Sequence, residues 1–199
     1  MALKFAVNNS LSAITSLPSG ISGGALNLIS TQTASASASL EFSLDDSYDS
    51  YVFKFIDIHP SNNAAYLEFQ GSTNNGSSYG VTITSTFFEA YHNEADTATT
   101  LSYAGYGDLA QSTSFQTIIA GIGNDNDQNC AGTLQIFNPS SSVFVKHFLA
   151  RGSRYAHDDY ASEQNLGGYF NTTSPITNLK FQFSSGNIDD GIIKMYGVS

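Results

Sequence analysis

The chain has 199 residues, with seven Lys and Arg against 17 Asp and Glu, a formal net charge of −10, and 12% charged residues, about half the usual globular share. Its cations are scattered at Lys4, Lys54, Lys146, Arg151, Arg154, Lys180 and Lys194, so no basic stripe for nucleic acid can form, and anionic lipid is disfavoured for the same reason. An apolar share of 41%, with 14 Phe and 11 Tyr, excludes a disordered chain and suffices for one sizeable core.

The first residues lack the basic and apolar regions of a secretory leader, and no apolar run approaches the roughly 18 residues of a membrane span. Residues 8–39 carry no charge; they are Ser, Thr, Ala and Gly with isolated aliphatics, punctuated by Pro18, Gly20 and the Gly23-Gly24 pair. This composition predicts an extended arm over residues 1–39 rather than a domain. Its aliphatics, Leu11, Ile14, Leu17, Ile21, Leu26 and Leu28, need a surface to lie on, either their own domain or a neighbouring subunit.

From Leu40 to the C-terminus the pattern is that of one all-β domain. Residues 51–58, 65–70, 81–84, 134–137, 143–148 and 179–183 are short runs rich in β-branched and aromatic residues, several alternating apolar with polar. Turn clusters at 59–63, 72–78, 138–142 and 184–187 separate them; Asn and Gly tolerate positive φ there, and Pro60 and Pro139 fix a turn-compatible one. With no helical stripe for crossovers, the expected fold is an antiparallel β-sandwich, or jelly roll, of about eight to eleven strands. Residues 91–114 and 151–165 carry weak strand signals and read as long loops, where binding residues concentrate.

The single cysteine, Cys130, excludes an internal disulfide. None of His59, His92, His147 and His157 has metal-ligand spacing, although His92 and His157 each lie near a carboxylate in those loops. Asp125 and Asp127, in the run Gly123-Asn124-Asp125-Asn126-Asp127-Gln128-Asn129, are the one weak metal candidate: alternating oxygens suit Ca²⁺, but the Gly and distant Glu of an EF-hand are absent. No nucleophile elbow and no carboxylate pair beside a sugar-stacking Trp are present, so no catalytic residue and no cofactor are expected. Residues 72–79 are similar to the Asp-box hairpin of sialidase-type propellers, with Asn74 and Tyr79 in place of its Asp and Trp; a single copy implies a tight β-hairpin and says little about sialic acid. Tyr91, Tyr103, Tyr106, Tyr155 and Tyr160, set among Gly, Ser, Asn and Asp, are candidate contact residues that could stack on sugar rings.

The strand entry Asp49-Ser50-Tyr51-Val52-Phe53-Lys54-Phe55, the expected hairpin from Phe69 to Tyr79, the Asn138-Pro139 turn after Leu134-Gln135-Ile136-Phe137, and the close Ser184-Ser185-Gly186-Asn187-Ile188 with Gly191 to Val198 together resemble small β-sandwich structural proteins of tailed-bacteriophage virions, the cyanophage and marine type. The resemblance spans residues 40–198 and brings no catalytic residues. It implies synthesis in a bacterial cytoplasm, a place on the virion surface, contact with other capsid or tail proteins, and a homo-oligomer, a trimer being favoured. The function it implies is capsid decoration or a head fibre, anchored by the N-terminal arm. The alternative is a tail-fibre or baseplate protein that recognises host surface glycans.

Overall fold

In the computed structural model residues 26–199 are described, and among them there is no helix. Twelve strands follow in chain order: β1 (Asn27–Thr33), β2 (Leu40–Ser43), β3 (Ser50–Pro60), β4 (Ala65–Ser72), β5 (Ile83–Asn93), β6 (Thr99–Tyr103), β7 (Gln116–Ile122), β8 (Cys130–Phe137), β9 (Lys146–Tyr155), β10 (Tyr160–Phe170), β11 (Asn178–Phe183) and β12 (Ile188–Val198). They form two antiparallel sheets, one of eight strands in the order β1-β12-β3-β8-β9-β10-β5-β6 and one of four in the order β2-β11-β4-β7. The fold is thus an all-β sandwich, with sheets of unequal width.

The alternation seen in the sequence selects which side chains meet between the sheets. Phe53 and Phe55 on β3, Phe69 on β4, Phe148 on β9, Phe170 on β10 and Phe181 on β11 are all buried. Phe181 sits at the centre, its ring 5.1 Å from Phe53, 5.5 Å from Phe55 and 5.9 Å from Phe42, mostly edge to face, while Phe69 packs on Phe148 at 5.1 Å. Such edge-to-face pairs add to the gain from burial alone.

Several elements differ from the sequence expectation. Residues 27–33, assigned there to the arm, form β1, paired with β12 from Asn27↔Gly197 to Thr33↔Ile192, so the sandwich begins before residue 40. Leu26 and Leu28 are exposed, at 40% and 57%, while Leu11, Ile14, Leu17 and Ile21 lie outside the described residues. The run 143–148 starts as a turn: the Ser141 hydroxyl accepts the Val143 and Phe144 amides and keeps them out of the ladder, so the strand begins at Lys146. Lys146 is fully buried, its Nζ donating to the carbonyls of Phe144 (2.9 Å) and Thr172 (3.1 Å), and burial lowers its pKa.

The Asp-box-like turn closes as its residues predict. Asn74 Oδ1 accepts from the Ser72 hydroxyl and the Ser78 amide, and Asn75 and Gly76 take positive φ. It does not close a hairpin, however, because β4 and β5 belong to different sheets.

The largest correction concerns the two expected long loops. Residues 151–165 hold the end of β9, a four-residue turn and the start of β10; residues 91–114 hold the end of β5, all of β6 and the connection to β7. The strand signal is weak in 151–165 because inward positions that would be apolar in a plain sandwich carry Ser162 and Gln164, both buried, and weak in 91–114 because β6 is exposed along most of its length.

Candidate functional site

Alternation places Glu89 and Tyr91 on the face of β5 that buries Phe87, and Tyr160, Ser162 and Gln164 on the face of β10 that buries Leu166. On β9, Arg154 follows Ala150 and Gly152 on the inward face. At this end of the sandwich the phenylalanine core gives way to polar side chains and opens into a cleft of about 440 Å³, within the range typical of ligand sites. Tyr66, Tyr91, Tyr106 and Tyr160 line it together with Glu89, Arg154, His157 and Asp158, and Ala120 and Gly121 of β7 form the opposite wall.

The floor is a hydrogen-bonded network. Gln164, fully buried, spans the two sheets: its Oε1 accepts the Ala120 amide at 2.7 Å and its Nε2 donates to Glu89 Oε2 at 3.0 Å. The Ser162 hydroxyl donates to the same carboxylate oxygen at 3.4 Å, and the Tyr106 hydroxyl lies near the carboxylate. Burial, followed by that contact with Glu89, holds the Tyr106 phenol above its ordinary pKa range. Arg154 Nη2 lies 3.9 Å from Glu89 Oε2, with the two side chains only 11% and 10% exposed. Its Nε is buried and has no hydrogen-bond partner among the described residues.

The aromatic rim is built from pairs. Tyr91 and Tyr160, on neighbouring strands, meet edge to face at 5.0 Å, and Tyr106 lies 6.2 Å from Tyr66 and 5.8 Å from Phe87. The β9–β10 turn bringing His157 and Asp158 to the mouth is tied to β7 through the Gly121 carbonyl, which accepts the His157 amide at 3.3 Å. Asp159 turns the chain there at φ +63°.

Of the five tyrosines expected from the sequence, the fold gathers Tyr91, Tyr106 and Tyr160. Tyr103, on the exposed edge strand β6, instead donates its hydroxyl to Asp108, and Tyr155 lines an adjoining groove with His92 and Glu94. His157 and Asp158 are in the cleft; His92 pairs with Asp96 away from it, at 3.0 Å. Glu89, Arg154 and Tyr66 escaped the sequence reading. The signal for the first two is positional: each lies two residues along a strand from an inward-facing neighbour, Phe87 or Gly152. Asp125 and Asp127 are exposed in the β7–β8 turn, which is closed from within by Gln128 accepting the Asp125 amide at 3.1 Å. Among the described residues, no three His, Cys, Asp or Glu side chains gather as a metal set.

Gly121 makes room for the guanidinium. It sits at φ +65°, and a methyl group there would overlap Arg154 Nη1. Gly121→Ala is therefore expected to displace the Arg154 fork and to lower stability by about 1–3 kcal/mol, measured by urea unfolding.

No protein-family model, curated protein or solved structure matches this chain.

Proposed function

We propose that the chain is a non-enzymatic structural protein of a bacteriophage virion exterior that recognises host-surface saccharide in the tyrosine cleft. The observation that carries this reading is the convergence of four tyrosines with Glu89, Arg154, His157 and Asp158 where the sandwich opens. Sugar rings present apolar C–H faces that tyrosine rings can cover, and hydroxyls that carboxylates, imidazole and guanidinium can bind. A rigid double sheet holds these groups without a large entropy loss on binding. A binding role suits the site better than hydrolysis, since Glu89 already accepts from Gln164 and Ser162 and the Tyr106 hydroxyl is held protonated. The virion setting rests on the resemblance of residues 40–198, and a net charge of −10 suits a particle surface that repels other acidic particles.

Capsid decoration or a head fibre is the second reading, favoured by apolar side chains that the sandwich leaves uncovered. Leu26, Leu28 and Ile29 at the β1 edge are exposed, as are Phe88, Leu101 and Leu149, on strands of the eight-stranded sheet. They would meet other virion proteins or sister subunits, with a trimer as the favoured assembly.

A saccharide array probed with the intact protein tests the main reading. Tyr91→Ala and Tyr160→Ala are expected to lower retention about tenfold or more with unchanged circular dichroism. Retention of no saccharide, or equal retention by both variants, overturns it. Copy number per particle then separates the decoration reading from the fibre.

A further inference from the structure

Resting on the saccharide reading of the cleft, we infer that the ligand is an anionic saccharide whose oxyanion is gripped by the Arg154 guanidinium.

The argument is one of unfilled hydrogen-bonding capacity. A guanidinium carries five N–H donors in a fixed plane, and a side chain this enclosed is normally bonded through most of them. Arg154 is 11% exposed and makes one loose contact, 3.9 Å from Glu89, and its buried Nε has no partner among the described residues. Glu89 is in the opposite condition, its carboxylate accepting from Gln164 and Ser162. The acid is satisfied by neutral donors while the base beside it keeps its fork for something else.

Such a fork matches a planar carboxylate or a phosphate group, which accept two parallel N–H bonds. Gly121 gives way to it, since any side chain there would collide with the guanidinium. The chain invests a scarce resource here, because Arg154 is one of seven Lys and Arg in a protein with 17 acids and it faces inward, where an uncompensated charge is expensive. The competing charges do not favour a cationic ligand. Glu89 already accepts from Gln164 and Ser162, and Asp158, 53% exposed at the mouth, is screened by water. Tyr160 then provides a ring face on β10, which adjoins the β9 strand that carries the fork, and Tyr91 another on β5, the next strand beyond it.

Calorimetric titration of the intact protein with methyl glucuronoside, its neutral methyl ester and methyl glucoside tests this. The acid is expected to bind about tenfold or more tighter than the ester or glucoside, the gain of a charge-assisted pair. Arg154→Gln is expected to erase that preference, acid and ester then binding alike, and Arg154→Lys to restore part of it. Glucose 6-phosphate distinguishes a phosphate source of the oxyanion from a carboxylate one; tight binding of either acid, with the neutral sugars weak, supports the inference. Binding of both acids no tighter than that of the ester and glucoside overturns it while leaving the saccharide reading intact, as does a preference that survives Arg154→Gln. Inorganic phosphate binding as tightly as the sugar phosphate also overturns it, because the ring would then contribute nothing. If no sugar binds, charged or neutral, the saccharide reading itself fails. The wild-type comparison of acid with ester needs no variant to fold.

Discussion

Phe181→Ala is expected to lower the unfolding free energy by about 3–5 kcal/mol, the range for truncating a fully buried aromatic side chain. Phe181 has no exposed surface and lies on β11, in the middle of the narrow sheet between β2 and β4. Its ring meets Phe42 from its own sheet and Phe53 and Phe55 from the wide one, so the lost volume borders both layers and neither can close the gap alone. The check is urea denaturation, where the midpoint should fall at an unchanged slope. Phe88→Ala is the matched control. Phe88 is 44% exposed on the outward side of β5, and its loss is expected to shift stability by about 0.5 kcal/mol or less. Equal losses from the two variants would refute the placement of the core around Phe181.

That core was legible because its strands obey the period of two. Tyr51, Phe53 and Phe55 alternate with Val52 and Lys54, and the structure buries the first set on β3. The turns were legible through their chemistry, as at Asn75-Gly76, where positive φ is required. Sequence alone did not show that the turn after Ser72 leaves one sheet for the other, since the turn residues fix a local bend and the pairing is decided by distant strands. β1 was missed because Ser30, Thr31, Gln32 and Thr33 carry no inward hydrophobe; the strand is held by its pairing with β12. β7 was missed for a different reason: all seven of its residues are buried, so it shows no alternation at all.

The cleft was half legible, and the division has a physical cause. Aromatic residues among Gly, Asn and Asp stand out by composition, so Tyr91, Tyr106 and Tyr160 were visible. Glu89 and Arg154 look like ordinary solvated charges until the register is known. The register pairs Glu89 with Gln164 across β5 and β10, and Gln164 with Gly152 across β10 and β9. A charged residue at an inward position breaks the hydrophobic pattern, and such breaks are where function is expected to sit. The feature that concealed the strands is thus the one that makes the site.

Glu89→Ala is expected to be the most damaging single change at the cleft, lowering stability by about 2–4 kcal/mol. The loss has two parts. Gln164 Nε2 and the Ser162 hydroxyl, both on buried residues, lose their acceptor, and Gln164 stays pinned to the Ala120 amide, which limits its turning to another. Arg154 also loses the one carboxylate within 4 Å of it among the described residues, leaving a charge that is 11% exposed without that counter-ion. The 3.9 Å separation makes this second part smaller than for a tight ion pair, which places the total below the upper end of the range for broken buried pairs. The two parts can be separated. Glu89→Gln keeps an acceptor for Gln164 and Ser162 but removes the charge, so it should lose only the Arg154 share. A Glu89→Leu/Arg154→Met double variant removes both charges and should be less destabilised than the sum of its single changes, with a coupling of about 0.5–3 kcal/mol by thermal and urea unfolding. Additive losses would mean that the guanidinium does not depend on Glu89. Strong coupling would mean that the carboxylate holds Arg154 at the cleft floor, and a saccharide oxyanion would then complete a fork that Glu89 neutralises in charge but leaves unfilled in hydrogen bonds.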